Sequence, residues 1–458
     1  MVKSKHLVVY VMLIYIIFFL ANAFFLRAVP VSYMAVTVIL IFILSCKNIK
    51  KYNGLISLAL FSIGVYLLFR RGASLDQWSM ALIDNKSLIS LILSVPFLGI
   101  PLYYDQYQED ILEISRQNIK SPYSFYLVTS AVIISLGMFL NMAALPLVNQ
   151  LMKKTSESYD DELFNKALTR GFSLNLLWSP NFISVATALN YLTLSWLEIL
   201  PIGLLLALLE GVLLLAIEWR LIQTKYRMVS DIGADIFNTK NNKESNSAER
   251  KKYFKLMGLI LYFMLFINVL EKITGRSVIT IMPLAAILAP FLLALFTKKL
   301  QVFKDKFKYY LFEVLPEKAN EFILFTSIGF FGYALRICDI NYYLTSILSQ
   351  MGNFPQFFLI LLLILIIVLP SLIGFHPIIT IATISAASPL KILPLSEIAL
   401  GGVYLVGYTV YSLLSPFSAV NLVVSNLSSK TPLQVSLKIN AVFGLLFIIL
   451  SSCLIKLF

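Results

Sequence analysis

The chain has 458 residues, 59% of them hydrophobic and 13% charged, with a mean hydropathy of +0.84. That is more apolar surface than a soluble domain of this length can bury, which excludes a soluble enzyme and puts the chain in lipid. The formal charge of +13 sits in short loops beside apolar runs, a positive-inside pattern rather than a nucleic-acid patch, and the scattered Cys46, Cys338 and Cys453 indicate neither a disulfide nor a metal site.

A helix crosses the hydrocarbon core with roughly 20 apolar residues. Residues 7–25, preceded by Lys3 and Lys5, read as an uncleaved first span, although Ala21-Asn22-Ala23 imitates a cleavage site. Further spans are expected over 31–46, 54–69 and 88–104, punctuated by Arg27, by Lys47, Lys50 and Lys51, and by Arg70 and Arg71. Residues 105–120 carry Ile111, Ile114 and Ile119 at helical spacing, which predicts an amphipathic helix lying flat at the cytoplasmic surface. The apolar block 124–151 is interrupted by Gly137, Asn141 and Pro146, a Lys-bearing stretch covers 153–170, and a second block, 171–194, holds Ser179-Pro180-Asn181 in its middle. Residues 197–217 form a plain span containing Glu210, a costly place for a carboxylate and by default a functional one. Residues 218–252 form a polar linker.

Beyond the linker, spans are expected over 253–270, 278–296 and 321–335, with Lys298, Lys299, Lys304, Lys306 and Lys308 in one loop. The block 354–390 is broken by Pro370, Gly374 and His376-Pro377, and 398–425 is broken at Ser415-Pro416, whereas 439–457 is uninterrupted. The broken elements recur in register: Asn141 pairs with His376 at an offset of 235, Ser179 with Ser415 at 236 and Asn190 with Asn426 at 236. This predicts a duplication, with residues 1–30 an extra helix, 31–217 the first repeat, 218–252 the cytoplasmic linker and 253–458 the second repeat.

Lys and Arg parity orients the repeats. If 124–151 and 354–390 are re-entrant hairpins returning to their own side, nearly all basic loops share one side, and the hairpins enter from opposite sides, so the repeats are inverted. Lys391 is the exception. Four breaks at membrane depth imply a central cavity, where half-helix N-termini suit an anion and unwound carbonyls suit Na+.

With eleven spans, two hairpins and a broken helix after each hairpin, the chain resembles the ion transporter superfamily of divalent-anion/sodium symporters and arsenite-type permeases, over about residues 31–457. Of the Ser-Asn-Thr hairpin motif typical of dicarboxylate members, only Asn141 is matched, the tips reading Leu140-Asn141-Met142-Ala143-Ala144 and Gly374-Phe375-His376-Pro377-Ile378. The resemblance implies an all-α polytopic protein of about 11 transmembrane helices plus two re-entrant hairpins in inverted repeats, in the bacterial inner (cytoplasmic) membrane with a cytoplasmic N-terminus. It implies a secondary transporter of a small anionic solute working by an elevator-like movement, with Na+ as coupling ion, no other metal and no cofactor. It also implies a homodimer joined through the unbroken helices. Substrate contacts fall to Asn141, Ser179, Asn181, His376, Thr380, Ser415 and Ser418, and ion contacts to Asn141, Ala143, Pro377 and Asn421. No catalytic residue is indicated.

Alternatives differ in kind. His376 either binds an anion or a proton or caps a broken helix end. Asn181 and Asn421 read first as hydrogen-bond glue between helices, and Glu210, near the cytoplasmic end of its span, could instead reach the interface. A rival class is a membrane-embedded polysaccharide polymerase or flippase, but the outside segments hold few arginines beyond Arg27, Arg70, Arg71, Arg276 and Arg336.

Overall fold

The computed structural model describes residues 2–25, 28–45, 51–105, 107–156, 159–226, 246–338, 340–387 and 392–458. Arg27, Cys46, Lys47, Lys50, Lys391 and residues 227–245 of the linker lie outside the described residues. Among the described residues every regular element is helical, and nine helices are long and apolar enough to cross a membrane by length and composition. The chain is an all-α polytopic membrane protein.

The first part comprises α1 (Val2–Phe24), α2 (Val31–Ser45), α3 (Lys51–Arg71), α4 (Leu75–Leu82) and α5 (Lys86–Ser94). The span expected at 88–104 is not one regular helix, because α5 tightens into a 3-10 segment over Val95–Tyr103, which contains Pro96, Gly99 and Pro101. The missing proline N–H and locked φ angles account for the change. α6 (Tyr107–Asn118) is the expected amphipathic helix, and Lys255 ties it to the start of α12, its Nζ 2.7 Å from Asp105 and 3.4 Å from Asp110. α1 packs into the body, with Tyr15 buried edge-on against Phe322 at 5.5 Å.

α7 (Pro122–Leu140) and α8 (Ala144–Ser156) cover the first interrupted block, joined by a one-turn 3-10 segment, Asn141–Ala143. The chain folds back there: Phe125, at the start of α7, stacks on Tyr159, beyond the end of α8, at 4.4 Å between ring centres. α17 (Gln356–Leu372) and α18 (Pro377–Ala386) make the second such hairpin, since Gly352 before α17 meets the backbone of Ile392 after α18. The second hairpin turns where Pro370 and Gly374 (φ 102°) stop the helix.

Each hairpin leads into a broken helix: α9 (Asp161–Trp178) and α10 (Ile183–Tyr191), then α19 (Glu397–Leu414) and α20 (Ala419–Leu427). All four pairs of boundaries are spaced by 236 residues. Gly171 and Gly407 share that spacing and one packing role. A Cβ on Gly171 would stand 2.3 Å from Ile133 and 3.0 Å from the backbone of Ser130 on α7, and one on Gly407 would stand 2.8 Å from Ile367 on α17. Only glycine lets each broken helix approach its hairpin so closely. The remaining helices are α11 (Trp196–Tyr226), α12 (Asn246–Thr274), α13 (Val278–Phe296), α14 (Leu300–Tyr309), α15 (Ala319–Ile337), α16 (Ile340–Met351) and α21 (Ile439–Ile455). α3 packs along α15, as α13 does along α5 and its 3-10 extension.

The two broken helices run antiparallel. Ser429, beyond α20, donates to the Asp161 carboxylate at the start of α9 (3.1 Å), and Thr193, beyond α10, donates to Glu397 at the start of α19 (2.8 Å). Both clamps keep the 236-residue spacing. Asp161 lies at the end of the molecule where α11 finishes and α12 begins, here called the linker end, and Glu397 lies at the far end. α11 itself runs to Tyr226, so Glu218, expected in the linker, is in a helix and buried.

Hairpin closure is directly testable. Phe125→Cys with Tyr159→Cys in a cysteine-free background should be bridged by a short bifunctional thiol reagent in membranes. A straight crossing over Pro122–Met152 would put the two cysteines on opposite faces and give no bridge.

Candidate functional site

The two hairpin tips and the breaks of both broken helices converge on one cavity of about 370 Å³. Three half-helix N-termini border it: α8 through Asn141, Met142 and Ala143, α10 through Asn181, Phe182 and Ile183, and α20 through Ser418, Ala419 and Val420. His376, the residue before α18, brings the fourth. The unpaired N–H groups of a helix start carry partial positive charge, so four such ends facing one space favour an anion there.

Asn141 turns the first tip at φ 51°, ψ −130°, a backbone region that costs on the order of 1–3 kcal/mol for an L residue. Its Oδ1 accepts from the N–H of Met142 (2.8 Å), and its Nδ2 donates to the carbonyl of Asn181 (3.4 Å). The hairpin is thereby stitched to the first break. There Asn181 accepts from the Ser179 hydroxyl and donates to the Met138 carbonyl (2.5 Å), while Ser184 donates to the Leu176 carbonyl.

The second break reaches the same end with different residues. Ser415 donates to the Ser371 carbonyl at 2.6 Å, joining break to hairpin. Ser418 caps α20, accepting from the N–H of Asn421 at 3.2 Å, and donates to the Ser412 carbonyl at 2.9 Å. Asn421 Nδ2 is shared among the carbonyls of Ser412, Leu413 and Ser415 at 2.9–3.1 Å. These carbonyls, which could otherwise hold a cation, are already met by amide hydrogens.

His376 stands in an aromatic box, edge to face with Phe325 (5.4 Å), Tyr408 (5.6 Å) and Tyr411 (5.4 Å). Its Nε2 is 3.2 Å from the Tyr408 hydroxyl, and its buried Nδ1 has no hydrogen-bond partner among the described residues. Towards the linker end the wall continues through Tyr310 to Tyr103, Tyr309 and the Lys318–Glu321 ion pair (3.1 Å). Tyr309 is 53% exposed, so the cavity wall reaches the protein surface at that end.

Of the residues singled out in the sequence, Asn141, Ala143, Asn181, His376 and Ser418 line this cavity; Ser179, Pro377, Thr380, Ser415 and Asn421 stand outside its lining. Ser415 and Asn421 instead satisfy the backbone at the second break, and Ser179 holds the Asn181 side chain that does so at the first. Sequence reasoning missed Phe325, Tyr310, Lys318, Tyr408 and Tyr411, and it used Glu321 only as the start of a span. Tyr408 and Tyr411, three residues apart one turn before Ser415, were the available signal.

Replacing Asn421 by leucine strands the Leu413 carbonyl in a dry interior at about 1–3 kcal/mol and leaves the Ser412 and Ser415 carbonyls with only their Ser418 donors. Asn421→Leu is therefore expected to lower the thermal midpoint of the detergent-solubilised protein steeply. His376→Ala, at the cavity wall, should cost much less, and equal losses would contradict these assignments.

No protein-family model and no curated protein matches the chain. Among solved structures it is similar to the YdaH transporter of Alcanivorax borkumensis, with TM-score 0.42 and 14% identity over 80% of this chain and 84% of that chain. At that distance the likeness assigns neither a fold nor an activity.

Proposed function

We propose that the chain is a secondary active transporter of a small anionic solute, held in the cavity where two hairpin tips and two broken helices meet. The convergence of four half-helix N-termini on one space of about 370 Å³ is the observation that carries this reading. Broken helices leave backbone groups unpaired at membrane depth, which lipid does not tolerate and a polar binding cavity uses. The His376 ring and the tyrosine hydroxyls add donors for an anion, and the aromatic faces suit an apolar body.

In this reading the two repeats are inverted, the linker end is cytoplasmic, and the cavity faces the cytoplasm. Lys120, Lys166, Lys255, Lys306 and Lys430 at that end agree with the positive-inside rule for a bacterial inner membrane. Transport is an elevator-like shift of the hairpins and broken helices against α3, α5, α13 and α15, whose cross-packing makes a stable frame. Na+ bound near Asn141 and Ala143, at the first tip, is the coupling ion inherited from the family resemblance.

Asn141→Cys and His376→Cys, each in a cysteine-free background, test the reading in proteoliposomes. One solute from a panel of radiolabelled small organic anions should accumulate against its gradient and should slow labelling of both cysteines by a membrane-impermeant maleimide. His376→Ala should reduce that uptake about tenfold, as expected for loss of one or two hydrogen bonds to the solute. No accumulation of any anion, with labelling indifferent to all of them, would end the proposal.

A further inference from the structure

A second polar cluster lies outside the cavity, between α9, α11 and α21. Arg170 is buried there, donating to Glu218 Oε1 (2.6 Å), to Asn440 Oδ1 (3.0 Å) and to the Ile439 carbonyl (3.1 Å), with its guanidinium 4.5 Å from the Phe443 ring centre. Lys166 joins Glu218 (3.3 Å) to Glu162 (3.2 Å) and so connects the cluster to the linker end. Glu210, two turns further along α11, is fully buried rather than at the interface. Its Oε1 lies 2.5 Å from Ser173 Oγ, and its Oε2 has no hydrogen-bond partner among the described residues.

The hydrogen count at Ser173 decides the state of this carboxyl. Ser173 Oγ is 2.8 Å from the Arg170 carbonyl and 2.5 Å from Glu210 Oε1, two acceptors for one hydroxyl hydrogen. Both contacts are full two-centre hydrogen bonds only if Glu210 carries a proton and donates it to Ser173, which then donates to the Arg170 carbonyl. Arg170, the cation facing this site from α9, is committed to Glu218, and Lys166 to Glu218 and Glu162. From α7, Tyr126 faces the same cluster with its hydroxyl buried. No titratable residue of α21 is hydrogen-bonded or ion-paired to Glu210 among the described residues.

Packing alone does not call for these charges. The capping pairs Ser195–Glu198 and Thr431–Gln434 start α11 and its counterpart in the same 236-residue register. In that register Arg170, Ser173, Glu210 and Glu218 correspond to Val406, Thr409, Leu446 and Leu454. At these positions Val406 and Leu454 are apolar, Thr409 keeps a hydroxyl and Leu446 is exposed, so no buried carboxyl stands at this register in the second half. A buried carboxyl kept in one repeat, where its twin is leucine, therefore has a use other than filling volume.

We propose that Glu210 and Ser173 form a proton-binding site, which takes up a proton from the linker end and releases it as α9 moves, so that protonation biases the conformation of the cavity. The step is a proton transfer between solvent and the Glu210 carboxyl, with Ser173 as hydrogen-bond partner in the loaded form. α9 makes the link, because Phe172 and Leu176 on the same helix line the cavity. This coupling rests on the transport reading, whereas the protonated carboxyl does not.

Two measurements on the full chain separate those parts, and neither needs the solute. Infrared difference spectra of the protein in nanodiscs across a pH titration should show the C=O stretch of a buried carboxylic acid. That band should vanish in Glu210→Gln, shift in Ser173→Ala and persist in Glu321→Gln. Absence of the band, or its survival in Glu210→Gln, overturns the site. The second readout is the labelling rate of Asn141→Cys by an impermeant maleimide as a function of pH. It should change several-fold across the carboxyl titration, and the change should be lost when Glu210→Gln is added. If the pH response is the same with Glu210→Gln, the coupling is wrong; if the band behaves as expected but no anion is ever transported, the proton site stands and the transport reading falls. Glu210→Gln preserves the shape of the protonated acid, and a thermal midpoint near that of wild type is expected, confirming that the comparison is between folded proteins.

Discussion

The need to pair every backbone N–H and C=O in the absence of water governs the centre of this molecule. A continuous helix meets it automatically, and a helix broken at Ser179-Pro180 or Ser415-Pro416 does not. The two breaks are answered by different side chains at different positions. The first uses Asn181 and Ser184, with Ser179 holding the Asn181 amide, and the second uses Ser415, Ser418 and Asn421. In both, one of these groups reaches the adjacent hairpin, Asn181 through the Met138 carbonyl and Ser415 through the Ser371 carbonyl. Each broken helix and its hairpin thus share hydrogen bonds that neither can lose cheaply. The carbonyl ends of the breaks are sealed, and the amide ends of the following half-helices face the cavity. Under the proposed transport function, that asymmetry favours a negatively charged solute in the cavity.

The clamps Asp161–Ser429 and Glu397–Thr193 extend the same logic to the ends of the broken helices. Each carboxylate stands at a helix start, where it complements the local N-terminal charge, and takes its partner from the other repeat. Together with the direct packing of α9 on α19, they hold the antiparallel pair as one body. The hairpins, bound to the breaks, belong to that body. Across from it, α15 is fastened to α3 and to the start of α5 by close glycine contacts, Gly64 on Phe330 and Gly329 on Asn85.

How much of this was legible in the sequence follows from which forces act locally. Proline, glycine and the 236-residue spacing mark where helices stop, and those boundaries are local properties of the chain. The amphipathic α6 was likewise readable from its isoleucines. The 3-10 segment at Val95–Tyr103 was not, because a hydropathy window sums apolar character and ignores two prolines that are themselves apolar. Arg170 and Glu218 read as loop residues because each alone is too costly in a helix interior, and only their mutual bond, with Asn440 from the other repeat, makes burial tolerable. The aromatic box around His376 joins α15, α18 and α19, and nothing within any one of those segments signals that they meet.

α9 carries two faces that the rest of the structure treats separately. Lys166, Arg170 and Ser173, spaced by four and three residues, form one stripe towards α11 and α21; Phe172 and Leu176, spaced by four, form another towards the cavity. At 3.6 residues per turn the stripes are about 100° apart on a stiff helix that holds its backbone hydrogen bonds throughout. Gly171, next to both, is pressed against the backbone of Ser130, so α9 cannot rotate to relieve strain on one face without displacing the hairpin on the other. Charge rearrangement in the buried cluster and rearrangement at the cavity wall are therefore alternatives open to one rigid element rather than independent events. The corresponding helix, α19, has the glycine and the cavity-facing tyrosines, but Val406 and Thr409 where α9 has Arg170 and Ser173. The two broken helices share the elements that shape the cavity, and of the two only α9 adds a buried charged face, the one to which the proton-binding proposal is attached.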